Sequence, residues 1–471
     1  MSKRCIISDA PRTVGRPLVA VSSVLVAGCH LVPSPTSQEL EQQELARAAI
    51  PAAWSVPEAR TSSVEDGWLA TFQDAQLDQL VSEALLYNAD LRAAAARVDR
   101  AAALARAAGA DLYPAVEALA RGGGEMSGDN SGLEGGLLSA SWELDVWGRV
   151  RYGARSATEQ YASAEADFEF ARQSLAALVA RSWFLATEAR LQRELLEEMV
   201  AASAELLELS EQRLDVGIGS DLDAASARVN LQARRDNLRE VQLAEEQALR
   251  ALELLIGRYP TAEIAVPVEF RDLVAAVPAG LPSELLERRP DVIAARNRVA
   301  SAFDLVQQAR AARLPSLSLT GSVSRITSEL FVLEERDNPV WSLGARLLAP
   351  IFTGGELAAQ VDIRTAEQEQ ALAEYVDTAL TAVGDVENAL AAERALQERE
   401  EILQSGVIYA ERALELAQTR YRVGSDDFRT VQEQQLAYLN ARSSLIRVLA
   451  EQRVQRVNLH LALGGDFSSG S

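Results

Sequence analysis

Few side chains in this chain are placed to do covalent chemistry. Its 471 residues include two His and two Cys. His30 stands beside Cys29, and His460 sits in a helical stretch with no thiol partner, where it reads as a structural residue. No Ser/His pair, metal-ligand spacing or phosphate loop stands out, which argues against an enzyme. Acidic pairs such as Glu197-Glu198 and Glu400-Glu401 fall on helix faces that read as solvated. The thiol with a meaningful setting is Cys29. It follows Val26-Ala27-Gly28 at the end of an apolar run, residues 18–27, that is preceded by Lys3, Arg4, Arg12 and Arg16. A basic segment before a run too short to span a bilayer is the layout of an export signal. Cleavage before Cys29 would leave its thiol to carry a covalent lipid such as palmitate.

Val26-Ala27-Gly28-Cys29 resembles a bacterial lipobox; the alternative is a plain secretory peptide with an incidental Cys. Cys5 lies in the removed part, so a lipidated mature chain has no disulfide and must be held by packing alone. No cofactor beyond that lipid is implied. Past Cys29 no apolar run reaches transmembrane length. The formal net charge is −22. Such an acidic chain is a poor partner for nucleic acid.

The elements that carry these residues are organised around a stretch that occurs twice, at 213–257 and 420–464. Each copy opens Arg-x-x-Val-Gly, with Arg213, Val216, Gly217 and Arg420, Val423, Gly424, and ends on an apolar pair before Gly257 or Gly464. Upstream of each opening glycine lies another breaker-poor run. A glycine between two such runs reads as a helix C-cap and a reversal, so each copy predicts a hairpin of two very long helices. The breaker-free run 153–217 would be roughly 95 Å long and the returning helix, 222–256, about 52 Å. A helix around 77–108, stacked end to end on the returning one, would match the long one. Leu175, Leu178, Leu185, Ala189, Leu196, Met199 and Leu206 follow a coiled-coil spacing, with Val179 and Leu195 widening the stripe. Leu403, Val407, Ala410, Leu414, Ala417 and Tyr421 do the same in the second copy.

In chain order the sequence predicts a signal peptide over 1–28, a lipid anchor and extended tether over 29–67, a first repeat over 68–257, a linker over 258–280, a second repeat over 281–465 and a short tail over 466–471. Each repeat reads as helix, β-hairpin, long helical hairpin. Helical periodicity runs from Trp68 to about Leu112, stopped by Pro114; Pro315 is its counterpart in the second repeat. The period then changes to two. Ala140, Trp142 and Leu144 alternate with Ser139, Ser141 and Glu143, and Leu317 and Leu319 alternate with Ser316, Ser318 and Thr320. Four two-faced strands cannot close a barrel. Three chains would supply twelve, with apolar faces to lipid and Ser-rich faces to a water-filled lumen. The alternative is a soluble sheet packed on helices.

Several of these residues then carry a resemblance. Phe72, Asp74, Leu77, Leu80, Ala84, Leu85, Asn88, Asp90, Leu91 and Arg97, between Trp68 and Pro114, resemble the opening of TolC-family outer-membrane efflux proteins. Gly280-Leu281-Pro282-Ser283-Glu284-Leu285-Leu286-Glu287-Arg288-Arg289-Pro290-Asp291 resembles the start of the second repeat in the NodT-like lipoprotein branch. Leu144-Asp145-Val146-Trp147-Gly148-Arg149 and Pro350-Ile351-Phe352-Thr353-Gly354-Gly355 resemble that family's strand-to-helix junctions. The resemblance implies a mainly α chain with a transmembrane β part. In a homotrimer, a 12-stranded barrel among the lipids of the bacterial outer membrane, four strands per chain, would sit on a long α-helical coiled-coil barrel in the periplasm. It implies docking through a periplasmic adaptor, or membrane fusion protein, to an inner-membrane pump of the resistance–nodulation–division (RND) type, and passive export of drugs or other small toxic molecules, hence multidrug resistance.

The family's adaptor-docking turns correspond to Val216, Gly217, Val423 and Gly424. Its periplasmic gate is narrowed by acids shortly after the second turn. An Asp found nine residues past that glycine in relatives falls on Glu433, an apolar residue five past falls on Arg429, and an Asp six past falls on Thr430. Arg429 and Glu433 are spaced to pair on one helix face, either as part of a gate or as a surface contact. Asp426 and Asp427 read as first-turn acids of the returning helix. The outer-membrane exit of a protein-secretion system and a periplasmic coiled-coil scaffold are the competing readings.

Overall fold

The computed structural model of the chain describes residues 36–56, 62, 64, 66–121, 134–273, 277–327 and 339–468. The expected signal peptide, Cys29 and most of the Gly-rich turn at 122–136 lie outside them. The elements in order are α1 (Ser37–Ala48), α2 (Ala75–Tyr87), α3 (Ala89–Ala110), β1 (Ala115–Arg121), β2 (Glu134–Leu144), α4 (Arg149–Asp215), α5 (Asp221–Leu255), α6 (Pro282–Arg288), α7 (Pro290–Ala311), β3 (Ser316–Thr327), β4 (Val340–Leu348), α8 (Glu356–Arg422) and α9 (Phe428–Ala462). A short 3-10 turn, Trp68–Phe72, precedes α2.

The two repeats run through helices, a strand pair and a long helical hairpin in the same order. α4 and α8 each run 67 residues, about 100 Å, and α5 and α9 each run 35. Lack of proline is what lets α4 and α8 continue so far; Gly384 and Gly406 ride inside α8 with open space where a side chain would be. The end-to-end stack is also present. Asn88 caps α3 through Leu91 N–H (3.0 Å) and donates its side-chain amide to the Leu255 carbonyl at the end of α5 (2.9 Å). The glycine after α5, Gly257, stands against the Tyr87 backbone where a Cβ would come within 3.0 Å. In the second repeat Gly464, after α9, meets the Arg289 backbone at 3.2 Å in the same way. Arg289 is buried there. It grips Asp291 with two nitrogens (3.0 and 2.6 Å) and reaches the Ala462 carbonyl (3.3 Å).

The structure corrects four expectations. The extended tether contains α1, which has a Thr36/Glu39 capping box and packs on α7 and α8. The single helix expected over 68–112 is broken at Asn88, whose extended backbone and side-chain cap separate α2 from α3. In α4, Leu178 and Leu185 are exposed (40% and 49%), while Val179, Trp183 and Ala186 are fully buried. That shift follows from the Trp68–Phe72 turn and α2, which cover the Val179 face at this level; Trp183 donates its indole N–H to Asp74 (2.9 Å), itself the cap of α2. Finally, Asp426 and Asp427 precede α9 rather than forming its first turn, as described below. His460 is the structural residue expected. It stacks on Trp68 (5.7 Å, 14°), and burial with nearby Arg456 lowers its pKa to about 3, so it is neutral.

The strands form one antiparallel sheet in the order β1-β2-β3-β4. Its register puts Val116, Ala140, Gly321 and Leu343 in one row and Ala118, Leu138, Val323 and Trp341 in the next, all on one face. Ser141, Thr320 and Gly344, with Ser139, Ser322 and Ser342, form rows on the other; Ser322 and Ser342 hydroxyls lie 2.7 Å apart. Within one chain Leu343 is 90% exposed. The junctions are fixed. Trp147 donates to the Pro315 carbonyl (2.7 Å), Trp142 to that of Leu112 (3.0 Å), and the Asp145 carboxylate accepts the first free N–H groups of α4, from Val150 (3.0 Å) and Arg151 (2.9 Å). The sheet is thereby tied to the helix bundle at its base.

A buried carboxylate ties down the linker after α5. Glu253 is 2% exposed and accepts from Ala262 N–H (2.7 Å) and Glu263 N–H (2.9 Å), holding Ala262 at φ 62. Burial pushes its pKa up, but these hydrogen bonds outweigh burial and the net shift is downward. Glu253→Ala strands two backbone donors and is expected to cost about 2–3 kcal/mol in thermal or denaturant unfolding. Since the folded pKa is depressed, the parent's contribution is full above the ordinary Glu value of 4.5 and is lost as pH falls through the lower folded value. The parent's melting point should therefore drop on acidification more than that of Glu253→Ala.

Candidate functional site

The sequence pointed to the two hairpin turns, and the chain brings them together at one end. Each long helix stops in the same way. After α4, Gly217 takes φ 77 and donates its N–H to the Leu214 carbonyl (3.0 Å), while Ile218 N–H reaches back to the Arg213 carbonyl (2.9 Å). After α8, Gly424 takes φ 79, with N–H bonds from Gly424 to Tyr421 (3.0 Å) and from Ser425 to Arg420 (2.9 Å). These are paired Schellman closures, which need a left-handed residue at the glycine position. Gly219 does not share that role. Its need is space: a Cβ there would stand 2.6 Å from the Leu214 nitrogen, whereas Gly217 faces nothing within 4 Å.

One side chain joins the two turns. The Arg213 guanidinium donates to the Tyr421 carbonyl (2.6 Å) and lies over the Tyr421 ring, 4.7 Å from its centroid. Tyr421 is 1% exposed and packs edge-on against Phe428 at 5.7 Å. Leu206, Ala227, Leu414, Ala417 and Val431 complete this small core. Burial and Asp223 raise the Tyr421 pKa, Arg213 opposing them, so its hydroxyl stays protonated. Tyr421 was legible as a seam residue and Arg213 as part of a motif, but their joint role was not. The repeat hid it: Arg420 is the counterpart of Arg213, yet Arg420 is exposed and Arg213 crosses to the other hairpin.

The acids after the second turn divide by role. Asp427 is the N-cap of α9, accepting from the Thr430 N–H and hydroxyl at 2.9 Å each. Those bonds hold its pKa below the usual Asp value. The cap requires an extended residue one step outside the helix, which is why Asp426 and Asp427 precede its first turn. Asp426 spends one oxygen on the Asp427 N–H (2.9 Å). Arg429 and Glu433 do pair, at 2.8 Å, with side chains 81% and 56% exposed. Val216 and Val423 are both exposed and form an apolar rim on the tip.

Comparison with known proteins bears on the whole chain. A family profile described as "Outer membrane efflux protein" matches residues 80–258 and 281–465, covering both repeats. The chain is 31% identical to the probable efflux pump outer membrane protein TtgC of Pseudomonas putida, over 95% of each chain. It is 33% identical to the pyoverdine export outer membrane protein OpmQ of Pseudomonas aeruginosa, over 96% of this chain and 97% of that one. Among solved structures, the outer-membrane channel OprN superimposes with a TM-score of 0.79 at 30% identity, over 88% of this chain and 97% of OprN.

The turn geometry separates the neighbouring glycines. Gly217→Ala is expected to cost about 1 kcal/mol, since only the left-handed backbone is strained. Gly219→Ala forces backbone apart and should open the first tip more. Limited trypsin digestion at Arg213 reads this, with cleavage fastest for Gly219→Ala, intermediate for Gly217→Ala and slowest for the parent.

Proposed function

The chain belongs to the outer membrane efflux protein family, and from that premise we propose that its paired tips are the docking point for a periplasmic adaptor, that its anchor is a lipid on Cys29, and that its pump is of the RND type. It is the outer-membrane channel of a tripartite efflux system, trimeric, with a β-barrel and a helical barrel, and works with an inner-membrane pump and adaptor. The observation that carries this function is the match across both repeats, in a chain whose sheet has one apolar and one Ser-rich face.

The docking proposal is supported by the turns' position and chemistry. They lie beyond the ends of the longest helices, at the end away from the sheet, and expose Val216, Gly217, Val423 and Gly424 without side-chain bulk at the glycines. For the gate, Arg429, Glu433, Asp426 and Asp427 all stand within the first turns after Gly424. Drugs and other small toxic molecules are the proposed cargo.

Gly217→Trp and Gly424→Trp are expected to abolish export, read as drug susceptibility, while trimers still reach the outer membrane. Normal export by both would place adaptor docking elsewhere. Arg429→Ala and Glu433→Ala are expected to raise single-channel conductance in planar bilayers; parental conductance in both would reduce the pair to a surface contact. Mass spectrometry of the mature N-terminus should find Cys29 lipidated, and Cys29→Ser should remove the lipid without preventing trimer formation. Cleavage at another residue would overturn the anchor.

A further inference from the structure

The strand register fixes how far each residue of the sheet's apolar face stands from the helices. The row at the base is Leu144, Leu317 and Leu347. Trp142, Leu319 and Ala345 come next, and the last apolar row is Ala118, Leu138, Val323 and Trp341. From the base to that row the face carries no charge. The row beyond it holds Ala120, Gly136 and Arg325. Arg325 is therefore the first charged residue met on this face, at the end farthest from the helices.

Its depth follows from strand geometry. The run from Leu317 to Arg325 is roughly 27 Å along β3 at the usual antiparallel rise. A strand tilted about 40° turns that length into roughly 20 Å of membrane depth, and the apolar band of a barrel is about 25 Å tall with aromatic girdles at both edges. Trp147 and Phe352, exposed just beyond the strand ends, mark the lower edge; exposed Trp341 marks the upper. One step past Trp341, Arg325 stands at the headgroups of the outer leaflet, where a charge costs far less than at the midplane. Its surroundings leave the guanidinium open. Arg325 is exposed, and among the described residues it has no ion-pair or hydrogen-bond partner. Trp341 lies diagonal to it across the β3–β4 pair, and its indole N–H is likewise without a partner among the described residues. On the other side Gly136 has open space where a side chain would be, and Ala120 adds only a methyl group. The result is a shallow notch with two free donors on a face that meets lipid.

We propose that this notch binds a phosphate group on a glycolipid of the outer leaflet, held by the Arg325 guanidinium with the Trp341 indole beside it, once in each protomer. The guanidinium fork matches two oxygens of a phosphate, and its weak hydration suits it to the edge of the apolar band. A phosphate monoester carries about −1.5 to −2 charge and presents three acceptor oxygens. The phosphodiester of an ordinary phospholipid carries a single charge and offers that fork less. The acyl chains of the bound lipid run down the apolar rows, over Val323 and Leu343.

The inference rests on the trimeric barrel, which the native mass of the lipid-free protein reads independently. Purified full-length trimer is titrated with bis-phosphorylated lipid A, with its dephosphorylated form and with phosphatidylglycerol, and retained lipids are counted by native mass spectrometry. Phosphorylated lipid A should be retained, up to one molecule per protomer, with apparent affinity about tenfold weaker for Arg325→Gln. Arg325→Lys should restore part of the loss, and Trp341→Phe should weaken retention less than Arg325→Gln does. Each variant should keep the trimer mass. Equal retention by the parent and Arg325→Gln, the outcome expected if Glu134 in the next row out on β2 already holds the guanidinium, would overturn the site. Equal retention of the dephosphorylated form would overturn the role of the phosphate, and equal retention of phosphatidylglycerol would overturn the choice of a glycolipid.

Discussion

The backbone of a strand in lipid must find all its hydrogen bonds in protein, and this chain makes a sheet that cannot satisfy its own. Four strands end in two edges, β1 and β4, each with a row of N–H and C=O groups facing outward. An unpaired group in a bilayer costs several kcal/mol, so the edges must be joined to those of other copies. Closure then propagates downward. Asp145 binds the base of the sheet to α4, and Trp147 and Trp142 bind it to the segments that follow α7 and α3, so a closed barrel above constrains the helices below to form a ring. The long helices have apolar faces that one chain leaves bare, and the closed barrel is what places other helices beside them.

Much of this was legible because the sequence carries it in period and punctuation. The hairpin turns, the equal repeats, the strand faces and the left-handed glycines at 217 and 424 follow from breaker spacing and from alternation. What was not legible depends on partners distant in sequence. The seam residues Leu178 and Leu185 fit the heptad as well as their neighbours do, yet the burying face at that level is set by Trp68 to Phe72, which arrive from more than 100 residues earlier. α1 was hidden among prolines, because its stability comes from packing on α7 and α8 and from a local capping box, neither of which a composition-based reading weighs. Asn88 looked like a family marker; its side chain is a cap and a tie to Leu255 at once. At the candidate site the spacing of Arg429 and Glu433 was enough to foresee their pairing, whereas Arg213 and Tyr421 meet only through the docking of one hairpin on the other.

The magnitudes at the tip separate what holds it from what could regulate it. An exposed ion pair such as Arg429–Glu433 is worth at most about 1 kcal/mol and is weakened by salt. Within one chain it cannot set the aperture of a tunnel. Its leverage would come from repetition around a three-fold axis, where three Glu433 side chains and their counter-charges meet the same solution. The Arg213–Tyr421 contact is of another kind. Its ring is buried, its guanidinium is spent on a carbonyl, and Phe428 closes the other side. It sets the geometry that the exposed charges only decorate.

That contact also makes the two hairpins unequal. Both carry the same turn motif, and both close with the same backbone bonds, so a docking partner that read backbone shape alone would meet six equivalent tips in a trimer. Side chains break the equivalence. The first tip turns its arginine inward to the second, while the second leaves Arg420 in solvent and places Asp426, Asp427 and the Arg429–Glu433 pair after its glycine. The first tip instead continues through Ile218 and Gly219 to Ser220, which caps α5, with Asp221 and Asp223 in the first turn. A trimer thus alternates two chemically different tips on one backbone form. Repetition supplies the shape on which an adaptor could dock six times, and divergence puts the Arg429–Glu433 pair at three of the tips only, which is where a gate with three-fold symmetry would have to be built.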